Sequence, residues 1–261
     1  MRKIKCFSFI LTVIIALTFA VNISAANGQG YSWYCVHRND NLQPKADPQF
    51  EFIERCGGYY IDKARGDDCD DKVIYLTFDA GYENGNVEKI LDILKGQSVT
   101  GAFFILGNLV RSNPDLVCRM FDEGHLVCNH TYSHKAMVGK SRDALADELN
   151  ALENVCREII GKEISDYYRP PEGRFDEASL NYANELGYKT IFWSFAYADW
   201  DNDRQMSPEK AKKKILDNVH NGEIMLLHPT SATNAAILED VIITLKSQGY
   251  RFGTLDELCG R

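Results

Sequence analysis

The sequence predicts an α/β protein: a distorted, incomplete (β/α) barrel of about seven parallel strands over residues 72–261. Three observations predict it. From residue 72 onward, short β-rich runs alternate with segments of helical apolar spacing, and such alternation builds a parallel sheet with crossover helices. The alternating region is shorter than the roughly 250 residues of a full eightfold barrel. Polar residues able to do chemistry follow the β-rich runs, and parallel sheets present their sites at strand carboxyl ends. A doubly wound open sheet is the alternative.

The elements follow in order. Residues 1–25 read as a secretory signal peptide: Arg2, Lys3 and Lys5 precede an apolar run over 6–21, and Ser24, Ala25 and Ala26 follow it. Cleavage is expected after Ala25 or Ala26. An uncleaved membrane anchor is the alternative, but the run is short of the roughly 20 residues a span needs. Residues 26–71 lack periodicity, carry Pro44, Pro48, Gly57, Gly58 and an acidic run at 67–71, and are expected to pack on the barrel as an N-terminal extension.

Strands are expected at 73–78, 100–106, 125–129, 167–168, 190–194, 224–227 and 251–253. Between them, apolar spacing predicts helices at 87–94, 113–123, 177–186 and 234–246. Ser141 caps a long helix whose Leu145, Leu149, Leu152, Cys156 and Ile159 share one face. Gly187 suits the end of the 177–186 helix. Ser207-Pro208 opens another helix, and Thr254 with Glu257 forms a capping-box pattern.

Composition excludes some functions. The formal net charge is −8, which argues against nucleic-acid binding because phosphate neutralisation needs clustered Lys and Arg. Of eight cysteines, Cys6 lies in the leader; the odd remainder leaves at least one thiol unpaired within the chain. A Cys35–Cys56 disulfide is the expected pair, and Cys118, Cys128 and Cys156 read as core. The absence of a C-x-x-C pair argues against structural zinc and thiol-redox roles.

Five polar clusters follow expected strands: Thr77–Gly85, Asn129–His134, Tyr168–Gly173, Asp199-Trp200 and Leu226–Pro229. In the first, Asp79 sits where a strand meets a loop and can act as general base, although a lone loop aspartate more often caps a turn. In the second, His130 and His134 are four apart, so a helical turn would aim both imidazoles at one metal; taken alone, two hydrogen-bonded histidines are an equal reading. His228 suits a general acid, or merely a polar strand end.

In this order and spacing the clusters resemble the polysaccharide deacetylase family, the NodB homology domains of carbohydrate esterase family 4, over about residues 72–258. The resemblance implies that Asp79 is the base and Arg169 holds it. It implies that His228 is the acid and Asp199 orients it. It makes His130 and His134 ligands of a divalent metal, with Zn²⁺ the usual choice for imidazoles. Most members carry a third ligand, an aspartate, where this chain has Ala80, so metal binding is expected to be weak. Tyr82, Tyr132, Pro171, Gly173 and Trp200 are expected groove residues, whereas Trp193 reads as core and His125 as structural. His37 and His220 carry no motif.

The variant Tyr82-Glu83-Asn84-Gly85, with Trp33-Tyr34 and Tyr59-Tyr60, resembles the branch that deacetylates N-acetylmuramic acid on the way to the muramic delta-lactam of spore cortex. That branch implies a secreted enzyme of the cell wall or forespore intermembrane space, acting in sporulation and later germination. Its partners are peptidoglycan glycan strands, and an N-acetylmuramoyl-L-alanine amidase must remove the peptide stem first. A monomer is expected. An N-acetylglucosamine or chitooligosaccharide deacetylase and a non-catalytic glycan-binding protein are the alternatives.

Overall fold

The structure is a computed structural model that describes residues 30–38 and 40–261. The signal-peptide expectation for residues 1–25 lies outside the described residues. Among those described, no helix is long and apolar enough to cross a membrane.

The chain opens with β1 (Tyr31–Ser32), α1 (Phe52–Arg55) and β2 (Gly58–Tyr59). It continues with β3 (Val73–Ala80), α2 (Val87–Gly96), β4 (Ala102–Ile105), α3 (Gly107–Ser112), α4 (Pro114–Asp122) and β5 (Leu126–Asn129). Then come α5 (Arg142–Ile160), β6 (Ser165–Tyr168), β7 (Arg174–Phe175), α6 (Glu177–Glu185) and β8 (Lys189–Ile191). The last are α7 (Pro208–Asn218), β9 (Glu223–Leu227), α8 (Ala232–Ser247), β10 (Arg251–Gly253) and α9 (Leu255–Leu258).

All seven expected strands form, and they lie parallel in one sheet. Its order is β10-β3-β4-β5-β6-β8-β2, with β9 on the other side of β3. The sheet curls rather than staying open. After β8 the chain runs extended, and Phe195 bridges Met225 of β9 in parallel; Ser194 N donates to Ile224 O (3.0 Å) and Leu226 N to Phe195 O (2.9 Å). The lower half of that seam holds β2, which pairs with β8 and is followed by an antiparallel bridge from Ile61 to Glu223. This eighth strand has no pattern in the sequence; its partners lie more than a hundred residues away.

Alternation along the strands sorts two cores. Val73, Tyr75, Ala102, Phe104, Cys128, Tyr167 and Ile224 fill the barrel. Ile74, Leu76, Phe78, Phe103, Ile105, Met225 and Leu227 pack outward against the helices. Burying both faces makes β3 a nearly unbroken apolar run, as parallel strands require. Because Tyr75 faces inward, Thr77 and Asp79 follow it onto the interior face. Ile224 does the same for Leu226 and His228. α8 buries Ile237, Leu238, Val241, Ile242 and Leu245 on one face; each contributes about 1.5–3 kcal/mol.

Several local expectations change. The Ser141 side chain accepts from Ala144 N, and Thr254 Oγ1 accepts from Glu257 N. The Glu257 carboxylate, however, turns to Arg65 and Arg251, so only half of that capping box forms. Ser207 makes no side-chain cap bond. The sequence reading missed α3, whose Gly107, Asn108 and Ser112 are weak helix formers.

The Cys35–Cys56 disulfide does not form. Cys35 Sγ donates to Ser194 O at 2.9 Å, and Cys56 is a buried free thiol at the end of α1. Cys128 and Cys156 are buried as expected, but Cys118 is only half-buried. Residues 30–62 lay an aromatic cluster of Trp33, Phe50, Phe52 and Tyr60 against Phe175 and Phe192.

Candidate active site

Five segments end at the carboxyl rim of the sheet and surround an open cleft of about 700 Å³. Asp79, the penultimate residue of β3, reaches into it. Its Oδ1 accepts from Arg169 Nη1 at 2.8 Å, and its Oδ2 lies 3.5 Å from His130 Nε2. Burial opposes ionisation of this carboxyl, but at the acid pH where it titrates the charges facing it from His130, Arg169 and His228 outweigh burial and hold it below the ordinary carboxylate range.

Arg169, just past β6, is fully buried. Such a cation is tolerated only when its donors are satisfied. Here Nε donates to Ile191 O (2.9 Å), and Nη2 donates to Thr77 Oγ1 (3.0 Å) and Phe192 O (3.2 Å). The guanidinium also lies 4.1 Å from the Phe104 ring centre. Arg169 is thereby locked, and it locks Asp79 in turn.

His130 and His134 approach each other without a helical turn. Thr131 (φ 70°) and His134 (φ 59°) take left-handed backbone, which β-branched residues rarely adopt. Asn129 Oδ1 accepts from Thr131 N, and Thr131 Oγ1 accepts from His134 N. These bonds hold a tight bend that sets the two rings 5.0 Å apart. Strained backbone of this kind concentrates at functional sites. The helical geometry expected from the four-residue spacing is therefore replaced by a bend with the same result.

The donor set bears on the metal that the family resemblance implies. His130 Nδ1 donates to Arg169 O at 2.8 Å, a tautomer assigned from that bond, which leaves Nε2 as the lone-pair nitrogen. Burial pushes the ring down to about 4, so it is neutral and ligand-competent at pH 7. Ala80 offers no donor, and among the described residues no group of three His, Cys, Asp or Glu is placed to hold a metal. The imidazole pair fits a cation that draws the rest of its shell from water or substrate.

Across the cleft, His228 Nδ1 meets Asp199 Oδ1 at 2.7 Å, while His228 N donates to Asp199 Oδ2 at 2.8 Å. Burial would lower the imidazole pKa. The Asp199 hydrogen bond and charge, with that of Asp79, raise it above the ordinary histidine value.

Of the expected groove residues, Tyr82, Gly173 and Trp200 line the cleft. Tyr132 does not: its ring sits against Gly107, and its hydroxyl accepts from Arg111 Nε. Pro171 is buried and is not among the residues lining the cleft. Trp193, read as core, lines the cleft half-buried, because it lies two residues past the inward-facing Ile191, beyond the end of β8. Glu172, Tyr197 and Thr230 line it as well. His125 is structural as expected, its buried Nδ1 accepting from Gly101 N.

Comparison with known proteins bears on the family and the fold. The polysaccharide deacetylase family model matches residues 66–191. The chain is 38% identical to the peptidoglycan-N-acetylmuramic acid deacetylase PdaA of Bacillus subtilis over 92% of this chain and 89% of that protein. The solved structure of PdaA, described as a family 4 carbohydrate esterase, superposes with a TM-score of 0.83 at 38% identity, over 89% of this chain and 97% of the solved chain. A family 4 carbohydrate esterase from Bacillus anthracis gives 0.72 at 33% identity, over 89% and 97% of the two chains. Fold, site and similarity converge, and the chain belongs to the polysaccharide deacetylase family, carbohydrate esterase family 4.

Proposed function

We propose that this hydrolase removes the N-acetyl group from N-acetylmuramic acid in peptidoglycan. The observation that carries the reading is one cleft lined by Asp79 and His228, each held by its own buried partner. Arg169 keeps Asp79 ionised, so the carboxylate takes a proton from the attacking water. Asp199 engages His228 Nδ1 and leaves Nε2 to protonate the departing amine. The products are a free amine and acetate. His130 and His134 are the residues that would hold a divalent cation, which when bound would polarise the acetyl carbonyl and favour ionisation of water. Trp200, exposed beside His228, and Tyr82 offer faces for sugar rings.

The choice of muramic acid rests on the similarity to PdaA and on the Tyr82-Glu83-Asn84-Gly85 loop. The same reading carries secretion through the 1–25 leader, a prior amidase step, delta-lactam formation in spore cortex, and action as a monomer. A glycan binder would have no use for an acid and a base with separate orienting partners.

The test is mass spectrometry of amidase-treated peptidoglycan incubated with purified protein, with chelator and with added Zn²⁺. Loss of acetyl from peptide-free muramic acid is expected. Loss from N-acetylglucosamine alone would overturn the substrate assignment, and no loss from any glycan would overturn the activity.

A further inference from the structure

Behind Asp199 lies a buried chain that the five sequence clusters do not contain. Asn234, on the first turn of α8, has no exposed surface. Its Nδ2 donates to Asp199 Oδ2 at 2.6 Å and to His228 O at 3.1 Å. Its Oδ1 accepts from the Tyr197 hydroxyl, and its backbone N donates to Ser231 Oγ at 3.1 Å. The amide can present Nδ2 to Asp199 only while Oδ1 faces the other way, and the Tyr197 hydroxyl holds it there. Were the amide flipped, two oxygens would face each other at hydrogen-bond distance with no proton between them.

We propose that Tyr197 and Asn234 are positioning residues of the deacetylation site, which fix Asp199 so that Oδ2 is occupied and Oδ1 alone faces His228 Nδ1. The inference rests on the reading of His228 as general acid. The two bonds from His228 tie the carboxylate to that residue alone, whereas the bond from Asn234 anchors it to α8. Three donors on Asp199 (His228 N, His228 Nδ1 and Asn234 Nδ2) leave it one orientation. Asn234 also grips the His228 carbonyl, so one amide sets both the backbone and the partner of the acid. The charged groups facing His228 are Asp199, Asp79 and Arg169, and none of them is replaced in the variants below.

The test compares Asn234→Ala and Tyr197→Phe in the whole protein. Asn234→Ala is expected to lower kcat by about ten- to a hundred-fold with little change in KM, the scale of one lost hydrogen bond to a charged group. Tyr197→Phe acts in the same direction and more weakly, and it keeps the ring and its packing should Asn234→Ala fail to fold. A structural role alone would not move the pH readouts. With Asp199 loosened, the imidazole pKa of His228 by NMR falls toward the value burial dictates, and the alkaline limb of kcat moves to lower pH.

Folded variants whose His228 titration and alkaline limb match the parent would overturn the inference. The NMR titration is read without substrate. A His228 shift in a protein that deacetylates no glycan would therefore support the positioning role while sinking the deacetylase reading.

Discussion

Asp79 and His228 are neighbours across two adjacent parallel strands. Phe78 of β3 pairs with Leu227, the last residue of β9, and the residue after each is the carboxylate on one side and the imidazole on the other. Both follow outward-facing neighbours, Phe78 and Leu227, so alternation turns both to the same interior. Residues about 150 positions apart in the chain thus come within one strand spacing, roughly 4.8 Å between backbones. A carboxylate and an imidazole set this way suit a small amide placed above the seam between them.

Replacing Asp79 with Asn tests the base and separates catalysis from binding. Deacetylation is expected to fall by at least about 10², while glycan retention in a pull-down persists. Arg169 loses its counter-charge, so urea unfolding should also show a loss of stability of about 3 kcal/mol. A variant with undiminished turnover would remove Asp79 from the mechanism.

The His228 pKa is raised on folding, which fixes a sign. The stabilisation it reports is complete below the unfolded value near 6.5 and is lost as pH rises through the higher folded value. The stability gap between the parent and His228→Gln should therefore shrink as pH rises above the unfolded value near 6.5. A gap that widens with pH would contradict the Asp199 pairing.

His125 and His220 carry the opposite sign, because burial pushes both down to about 4. The unfolded chain binds protons that the folded chain refuses, so stability falls as pH drops through about 6.5 and levels off below about 4. Each contributes roughly 3 kcal/mol to that loss. Denaturant midpoints across this range should be flatter in His125→Asn, provided the variant keeps the bond from Gly101 N.

Zinc titration calorimetry on protein stripped with chelator tests the imidazole pair. The parent should take up one ion weakly, and His134→Ala should take up none. His134 is exposed, so the metal-free thermal midpoint of that variant should match the parent. Equal zinc uptake by both would place the ion elsewhere.

Much of the fold was legible because a parallel barrel repeats one local pattern. Each β-rich run from Val73 to Gly253 appears where the sequence predicts it. The clusters around Asp79, His130, Arg169, Asp199 and His228 stand out because polar residues interrupt apolar strands at their carboxyl ends. Features set by distant partners were not legible. β2 is two residues long and gains meaning only beside Thr190 and Ile191. The bend at Thr131 depends on the Asn129 side chain, and spacing alone suggested a helix instead. Trp193 reads as core until the end of β8 is known. Asn234 looks like any polar residue in a helix, since its partners are the Asp199 carboxylate and the Tyr197 hydroxyl.

The placing of β2 and Ile61 in the barrel seam also bears on how the molecule assembles during synthesis. These residues emerge from the ribosome early, yet their berth between β8 and Glu223 exists only after more than 150 further residues have been added. Until then the aromatic stretch from Trp33 to Tyr60 has no partner surface and is exposed to wrong associations. Contacts that span so much chain form slowly. The early segment must wait for the late one, and the barrel cannot shut until the two meet.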